Sequence, residues 1–257
     1  MLLIAIKSCA RDMQNLSHQA IRESWGKDVQ DLRFFIGQEP TGSFAQFQDE
    51  INLNVDDSYQ GLAKKTRKIL EWSLAQGYEF TFLADNDTFA IPDLLLHSKF
   101  QNAEYSGKIA PNRGGRPFLF CHGGYGYFVS RKLAELAVKT EPTVTDEDRF
   151  VGQVAFDNGI VPHALEFGTF HFPTIPYRTR YNPGTKWQEL MYKKYVLRDE
   201  SIRVNTDNSE IPVNKEEEPV QFESGYVLIR RKGSGKGEAV TADTARRLVF
   251  KGQAVYV

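Results

Sequence analysis

The sequence has few cysteines and no long apolar run, and each shortage excludes a class of protein. Cys9 and Cys121 are its two cysteines, and they stand in no C-x-x-C or metal-type spacing. A disulfide framework is therefore not expected, which favours a reducing compartment. The apolar run at residues 2–6 stops at Lys7 and is too short for the core of a signal peptide or for a membrane span. We expect a cytoplasmic protein with no signal peptide and no transmembrane anchor.

Charge of one sign is not in excess either. Lys and Arg number 32 against 33 Asp and Glu, for a net charge of −1, so no global basic surplus indicates binding to nucleic acid or to an anionic membrane. With 41% hydrophobic and 25% charged residues, the chain has the composition of a globular protein. Its 257 residues suit one large domain, or one domain with a small appendage.

The hydrophobic pattern alternates between strand and helix periods through the first third of the chain. The predicted strands are 2–6, 32–36, 51–55 and 78–83, and the predicted helices are 16–25, ending at Gly26, and 59–76, capped by Asp57 or Ser58 and ending at Gly77. This alternation is typical of a mostly parallel sheet with helices on its faces. G-x-G-x-x-G does not follow the first strand and G-x-x-x-x-G-K-[ST] does not occur, which argues against dinucleotide and P-loop sites.

The character of the sequence changes after residue 176. Residues 178–198 are rich in Arg, Lys and aromatic residues, and a polar segment follows them. Polar segments of this kind are typical of linkers. We predict a first domain over residues 1–198, a linker over 199–217 and a small β-rich unit over 218–257, with strands at 226–229 and 254–257.

The stretch LADNDTF, residues 83–89, follows a predicted buried strand and carries two acids separated by one Asn. Asp85 and Asp87 are expected just past the C-terminal end of that strand, where open α/β sheets bind ligands. Asp and Asn also favour turns, so the heptapeptide alone fits a ligand site and a plain turn about equally well. Acids hold the phosphates of a nucleotide only through a metal ion.

Three later stretches carry residue types that suit the same site. The loop at residues 121–130 has glycines, which let a backbone approach a ligand, and tyrosines, which offer flat faces to a sugar; a plain turn that leads to a helix capped by Ser130 is the alternative. Thr145 and Asp148 fit the capping-box pattern of a helix start. His171 stands between two phenylalanines, where a packed His is commoner than a metal ligand.

Taken in order, these stretches resemble the glycosyltransferases of family 31, the β-1,3-galactosyltransferase and Fringe group. The matches to the family's motifs are IRESWG at 21–26, DSYQGLAKKT at 57–66 with Trp72 behind it, DNDTF at 85–89, GYGYFVS at 124–130, EDRFVG at 147–152 and Phe-His at 170–171. Asn86 replaces the family's middle acid, Arg149 replaces its usual Val, and His18 stands where many members carry Arg. The membrane anchor and lumenal cysteines of animal members are missing, which suits an enzyme of a bacterium or of a virus-infected cell.

The resemblance implies a GT-A fold and a metal-dependent, inverting transfer of a hexose or N-acetylhexosamine from a UDP-sugar to an acceptor hydroxyl. It assigns Mn²⁺ or Mg²⁺ to Asp87 and His171, and the nucleotide ribose or a metal-bound water to Asp85. It makes Asp148 the general base that takes the proton of the acceptor hydroxyl. The residues that it places against the donor are Arg22, Lys65, Asp85, Asn86, Gly124 and Tyr125.

Two other classes of function stay open on the sequence. One is a protein that binds a nucleotide-sugar or a glycan without turnover, and metal-dependent hydrolysis of a UDP-sugar would argue against it. The other is a metal-dependent nucleotide or phosphoryl enzyme, which would be indifferent to the sugar. The acceptor is a glycan, a protein or a modified nucleobase in DNA, and the Arg- and Lys-rich segment 178–198 keeps nucleic acid among the candidate partners.

Overall fold

A computed structural model describes residues 1–9, 17–38, 47–110, 117–171, 193 and 196–197, and the backbone of residues 226–231, 237–241 and 254–256. For Asp28 and His171, too, the backbone alone is described. The described residues belong to two compact units, one with the elements up to residue 171 and one with the three strands from residue 226 onward.

The first unit is built on a central sheet. Its strands are β1 (Leu2–Lys7), β2 (Leu32–Gln38), β3 (Glu50–Asp56), β4 (Phe80–Asp85), β5 (Thr88–Ala90), β6 (Tyr105–Gly107), β7 (Tyr127–Ser130), β8 (His163–Ala164) and β9 (Thr169–His171). Seven of them form one sheet in the order β3-β2-β1-β4-β7-β6-β8, and β5 pairs with β9 in a separate two-stranded sheet. The four strands β3, β2, β1 and β4 are parallel, and β7 is antiparallel to both of its neighbours.

Helices cover the sheet, as the alternating pattern predicts. They are α1 (Ser17–Glu23), α2 (Leu62–Ala75), α3 (Pro92–Leu96), α4 (Arg131–Lys139) and α5 (Glu147–Asp157). Successive strand residues point to opposite faces, so Leu3 and Ala5 of β1 share a core cluster with residues of α2, α4 and α5. The predicted α/β class, a mostly parallel sheet flanked by helices, is confirmed.

The opposite face of the sheet is aromatic. Phe82 of β4 and Phe128 of β7 pack with ring centroids 4.7 Å apart, and Phe100 stacks on Phe128 at 4.4 Å. Phe167 meets both Phe82 and Phe128 edge-on. These rings pack over β4 and β7 on the face of the sheet opposite the core cluster.

Two predicted helix boundaries are wrong, each because a polar side chain bonds elsewhere. Gly26 does not end α1: the helix stops at Glu23, where Ser24 Oγ donates to the Ala20 carbonyl at 2.6 Å and competes with the backbone ladder. Asp57 does not cap a helix at Tyr59, because its Oδ1 accepts from the Gly37 N–H at 2.6 Å. A 3-10 turn fills the gap, and α2 starts three residues later, at residue 62.

Ser130 caps α4 as predicted, accepting from the Leu133 N–H at 3.3 Å. None of the helices in the described part of the chain has both the length and the apolar character needed to cross a bilayer.

The second unit is a three-stranded antiparallel sheet. Its strands are β10 (Tyr226–Arg231), β11 (Gly237–Thr241) and β12 (Ala254–Tyr256), in the order β11-β10-β12. The two strands predicted here are present, and β11 is additional. The predicted linker 199–217 and the domain boundaries beside it lie outside the described residues and stay predictions.

Candidate active site

The predicted acids and the predicted glycine and tyrosine loop lie at one edge of the central sheet. β1 and β4 run parallel and both end there, at Lys7 and Asp85, which are partners in the register. Because β7 runs antiparallel to β4, it starts at the same edge. The N-terminus of α5 lies beside that start, where Gly123 donates its N–H to Asp148 Oδ2 at 3.1 Å. The carboxyl edge of a parallel sheet is where α/β proteins place ligands.

The acid turn, Asp85-Asn86-Asp87, links β4 to β5. Asp85 is the last residue of β4, and Asn86 and Asp87 form the turn to β5. The acids therefore lie both at the end of a strand and in a turn, as the sequence predicts. Thr88 fixes it, because its Oγ1 accepts from the Asp85 N–H at 3.2 Å and donates to the Gly124 carbonyl at 2.9 Å. All three side chains of the acid turn are half-buried.

At two positions of the glycine loop, residues 122–126, there is no room for a side chain. Gly126 has φ +77°, and a Cβ there would overlap the Phe82 ring. A Cβ at Gly123 would overlap the carboxylate of Glu147. Only a residue without a side chain fits such close approaches, so the backbone of the loop lies directly against the aromatic core on one side and α5 on the other.

Tyr125 lies between a histidine and a lysine. His122 Nδ1 accepts from the Gly124 N–H at 3.1 Å, and its ring meets the Tyr125 ring edge-on at 5.1 Å. Lys108 Nζ lies 3.8 Å from the centroid of the Tyr125 ring, within cation–π distance. Burial lowers the pKa of His122, although Asp148 opposes the shift, so the imidazole is neutral at pH 7 and suited to accept on Nδ1.

Asp148 is the second residue of α5, whose N-cap is Asp146. Its Oδ2 accepts from Gly123, and its Oδ1 accepts from the Arg149 N–H at 2.7 Å. The alternative interpretation of Thr145 and Asp148 as a capping box is not observed. The helix starts at Glu147 with Asp146 in the N-cap position, and the Asp148 side chain accepts from the glycine loop. The positive end of the helix favours a negative charge at this position.

A buried ion cluster, Lys7 with Asp85, Glu147 and Tyr127, lies behind the acid turn. Lys7 Nζ is 3.1 Å from Asp85 Oδ1 and donates to Glu147 Oε1, while Glu147 Oε2 accepts from the Tyr127 hydroxyl. The side chains of Lys7 and Glu147 are 2% and 4% exposed. Burial raises the pKa of Glu147, while the Lys7 ammonium lowers it. Burial lowers the pKa of Lys7, but the two carboxylates outweigh it and hold that pKa above its ordinary value.

Removal of Lys7 should destabilise the protein strongly. Lys7→Met leaves the Glu147 carboxylate buried without its ammonium partner, and breaking a buried pair in this way costs about 3–5 kcal/mol in the free energy of unfolding. Urea denaturation measures this change. Lys68→Met is the matched control, because the Lys68–Glu71 pair on α2 is 39% and 51% exposed and should be worth no more than about 1 kcal/mol. Equal small losses in the two variants would contradict a structural role of the cluster.

The deficit of Lys7→Met should also grow with pH. In the native protein the pKa of Glu147 is raised from 4.5 to about 7, so the folded state favours the protonated acid. The contribution of Glu147 to the free energy of unfolding is therefore fully present below pH 4.5, the ordinary pKa of Glu, and is lost as the pH rises toward about 7. Without the ammonium the folded pKa rises further, and the variant should keep losing stability above pH 7, where the native curve for this group is flat.

Arg22 and Lys65, predicted to contact the donor, lie in ion pairs. Arg22 makes a bidentate bond to Asp49 at 2.6 and 2.7 Å, and a further bond to Glu50 Oε1 at 2.7 Å. Lys65 is buried and donates to the Ser8 carbonyl at 2.7 Å, which ties it to the end of β1. Direct contact of either residue with a nucleotide-sugar stays a prediction.

The strand pairing brings His171 to the acid turn. In the β5–β9 pair His171 is opposite Thr88, the residue after Asp87. Among the side chains that the structure describes, which do not include that of His171, no group of three or more His, Cys, Asp or Glu is arranged to hold a metal. Asp85 and Asp87 nevertheless carry the carboxylate oxygens that Mn²⁺ and Mg²⁺ take, and Mg²⁺ is usually held by one or two carboxylates together with substrate phosphates. The donor chemistry of the acid turn therefore fits such an ion.

Sequence reasoning missed Lys7 and His122 as site residues. In the sequence Lys7 only marks the end of an apolar run, yet it ends a parallel strand at the same edge as Asp85. The rule that places ligands at the carboxyl ends of parallel strands therefore applies to Lys7 as well. His122 is the first residue of the glycine loop, and no pattern in the sequence distinguishes it from a loop histidine without a functional role.

The sequence and the structure were compared with those of known proteins, and only the comparison of structures found similar proteins. No protein-family model and no curated protein sequence matches the chain. A candidate glucose-1-phosphate thymidylyltransferase from Bacillus anthracis aligns over 75% of this chain and 96% of its own, with 8% identity and a TM-score of 0.45. A candidate nucleotide-diphospho-sugar transferase from Desulfovibrio desulfuricans covers 64% of this chain and 79% of its own, at 11% identity and a TM-score of 0.40. The glycosyltransferase GlyE of Streptococcus pneumoniae covers 64% and 45%, at 13% identity and a TM-score of 0.40.

Proposed function

We propose that this protein is a metal-dependent, inverting glycosyltransferase that moves a hexose or N-acetylhexosamine from a UDP-sugar to an acceptor hydroxyl. The observation that carries the proposal is the convergence of three motifs at one sheet edge. Thr88 bonds the acid turn to Gly124, and Asp148 bonds Gly123. The acids, the glycine loop and the candidate base are thus held together by hydrogen bonds that join segments distant in sequence.

Asp148 is the candidate general base. It accepts the proton of the acceptor hydroxyl while that oxygen bonds to the anomeric carbon, and the bond from this carbon to the UDP oxygen breaks on the opposite face. General-base help of this kind contributes roughly 10²–10⁴-fold in rate. Its position supports this assignment, because the half-buried carboxylate lies in the first turn of α5 and borders the glycine loop of the proposed donor site.

The donor is bound by residues at the acid turn and the glycine loop. Asp87 and His171 would hold Mn²⁺ or Mg²⁺, and Asp85 would contact the nucleotide ribose or a metal-bound water. A bound divalent cation supplies neutralisation of the charge that develops on the departing diphosphate. The backbone of Gly124 approaches the sugar-diphosphate, and the ring of Tyr125, steadied by Lys108 and His122, offers a face to the sugar.

A donor screen tests the proposal. The 257-residue chain is incubated with individual UDP-hexoses and UDP-N-acetylhexosamines in Mn²⁺, Mg²⁺ or a chelator, and released UDP is measured by mass spectrometry. We expect UDP release that depends on the metal and on the sugar, and that rises when the correct acceptor glycan, protein or hydroxylated DNA base is added. The anomeric configuration of the product, read by NMR, should be opposite to that of the donor.

Three outcomes would contradict the proposal. UDP-sugar binding without any UDP release would indicate a binding protein. Cleavage within the diphosphate irrespective of the sugar would indicate a phosphoryl enzyme. A product that retains the donor's anomeric configuration would exclude direct attack assisted by Asp148, because that attack inverts the carbon.

A further inference from the structure

A buried chain of hydrogen bonds runs from the acid turn into the sheet. Ser8, the residue after β1, has its Oγ 2.6 Å from His18 Nε2, and His18 Nδ1 is 2.9 Å from Glu50 Oε1. Ser8, His18 and Glu50 are 6%, 2% and 5% exposed. Asn86 Nδ2 donates to Ser8 Oγ at 3.2 Å and, at the longer distance of 3.4 Å, to Ser17 Oγ. A side chain of the acid turn is therefore the outer end of this hydrogen-bond chain.

The chemistry of the groups fixes the direction of these bonds. Burial lowers the pKa of His18, although Glu50 opposes the shift, so the imidazole is neutral at pH 7. A carboxylate only accepts, so His18 donates Nδ1–H to Glu50 and its Nε2 is left as an acceptor. The Ser8 hydroxyl therefore donates to His18, and its oxygen is available to accept from Asn86. Every bond in the chain has one donor and one acceptor.

The inner end of this hydrogen-bond chain, Glu50, is anchored by a charge. Arg22 holds Glu50 Oε1 at 2.7 Å, and its guanidinium lies between the rings of Phe34 and Phe47, at 4.8 and 4.3 Å. Phe34 also stacks on His18, with centroids 4.2 Å apart. The imidazole is therefore held in place by a ring on its face and a carboxylate at its edge.

The backbone of Ser8 is fixed as well. Its carbonyl accepts from Lys65 Nζ at 2.7 Å, and its N–H donates to the Phe35 carbonyl at 3.0 Å. Ser8 is thus a rigid point at the end of β1. The Ser8, His18 and Glu50 side chains are spaced like a catalytic nucleophile with its base. The Ser8 oxygen is buried, however, and accepts a hydrogen bond from Asn86, so this geometry orients Asn86 and does not expose a nucleophile.

We propose that Ser8 and His18 are positioning residues that set the acid turn for donor binding by holding the amide nitrogen of Asn86. Arg22 and Lys65 then act on the donor site through this chain, by anchoring Glu50 and the Ser8 carbonyl. The inference rests on the proposed function for its ligand, a UDP-sugar with a divalent cation. Its structural part, the hold on the acid turn, can be tested without any ligand.

The first test uses Ser8→Ala, with Ser73→Ala as the matched control. Ser73 is also a buried serine, and its Oγ bonds Thr81 Oγ1 at 2.6 Å, linking α2 to β4. Ser8→Ala removes the bonds of Ser8 Oγ to His18 and Asn86, whereas Ser73→Ala removes the bond to Thr81. Both variants should therefore lose thermal stability, and Ser8→Ala should lose more. Hydrogen exchange followed by mass spectrometry should show faster exchange across residues 85–88 in Ser8→Ala alone. Unchanged exchange at the acid turn in Ser8→Ala would overturn the proposal, whether or not the protein binds UDP-sugars.

The second test separates positioning from catalysis. Ser8→Ala should raise KM for the UDP-sugar and Kd for UDP with Mn²⁺ by roughly three- to tenfold, the worth of about one hydrogen bond, and leave kcat within about twofold because the base is untouched. Ser73→Ala should change neither constant. A kcat loss without a rise in KM would overturn the proposal. Absence of UDP binding in the native protein would refute the proposed function. The hydrogen-exchange result alone would then test whether Ser8 and His18 position the acid turn.

A double-mutant cycle with Asn86→Ala identifies the group on which Ser8 acts. If Ser8 acts through Asn86, adding Ser8→Ala to Asn86→Ala should cause no further rise in Kd, because the held group is already gone. His18→Phe keeps the stack on Phe34 and removes both ring bonds, so it should reproduce Ser8→Ala in the same cycle. Independent, additive effects of Ser8→Ala and Asn86→Ala would overturn the assignment.

Discussion

Replacement of Asp148 by Asn should give a folded protein that binds the UDP-sugar with near-native affinity and transfers the sugar at least about a hundredfold more slowly. The amide keeps the size of the side chain but cannot take the proton of the acceptor hydroxyl. Transfer rates by mass spectrometry, UDP-sugar affinity by calorimetry and the melting temperature together measure the effect.

The fold should tolerate this change because Asp148 is not the cap of α5. Asp146 is the N-cap, and an Asn at 148 retains one carbonyl oxygen that can accept from the Gly123 N–H, now 3.1 Å from Asp148 Oδ2. The loss is the charge at the helix N-terminus, worth about 0.3–1 kcal/mol. Asp157→Asn at the exposed C-terminal end of the same helix, where Asp157 accepts from Gln153, is the control and should leave transfer unchanged.

Full transfer activity in a folded Asp148→Asn protein would remove Asp148 as the base. Glu147 would not replace it, because its side chain is 4% exposed and is paired with the buried Lys7 ammonium. Asp146 would become the candidate, since it is partly exposed in the same turn and bonds the hydroxyl of Tyr59 at 3.0 Å.

Local patterns predicted the elements that carry the site. The apolar runs of β1 and β4 and the Ser130 cap of α4 depend on neighbouring residues, and the structure confirms them. The edge position of Asp85 followed from the direction of a single strand. Such features are encoded within a few residues, so a sequence alone suffices to find them.

Long-range pairings could not be predicted in the same way. The contact of Lys7 with Glu147 joins residues 140 positions apart, and it exists because β1 is a neighbour of β4 and α5 starts at their edge. The capping-box alternative for Asp148 is not observed for the same reason: the Asp148 side chain accepts from the N–H of Gly123, 25 positions away in the sequence. Arg22 and Lys65 matched family motifs, but their observed partners, Glu50 and the Ser8 carbonyl, are determined by the register of the sheet.

Replacement of Asp87 by Asn should abolish the metal-dependent part of donor binding. A neutral amide is a much poorer ligand than a carboxylate for a hard cation such as Mn²⁺ or Mg²⁺, and Asp87 is the carboxylate that the proposed site assigns to the ion. Calorimetry with UDP in Mn²⁺ and in a chelator measures the difference. In the native protein UDP should bind more tightly with the metal, and in Asp87→Asn the two affinities should be equal.

The control for Asp87→Asn is Asp93→Asn, an exposed acid in the first turn of α3, a few residues further along the chain. It removes the same charge six residues further along the chain and leaves the acid turn itself unchanged, so its metal-dependent UDP affinity should stay native. This comparison separates ligation from a general loss of negative potential, since the latter would weaken metal binding in both variants. Undiminished metal-dependent affinity in Asp87→Asn would remove Asp87 from the metal site, and the ion would then have to be held by Asp85, whose carboxylate must in that case leave Lys7.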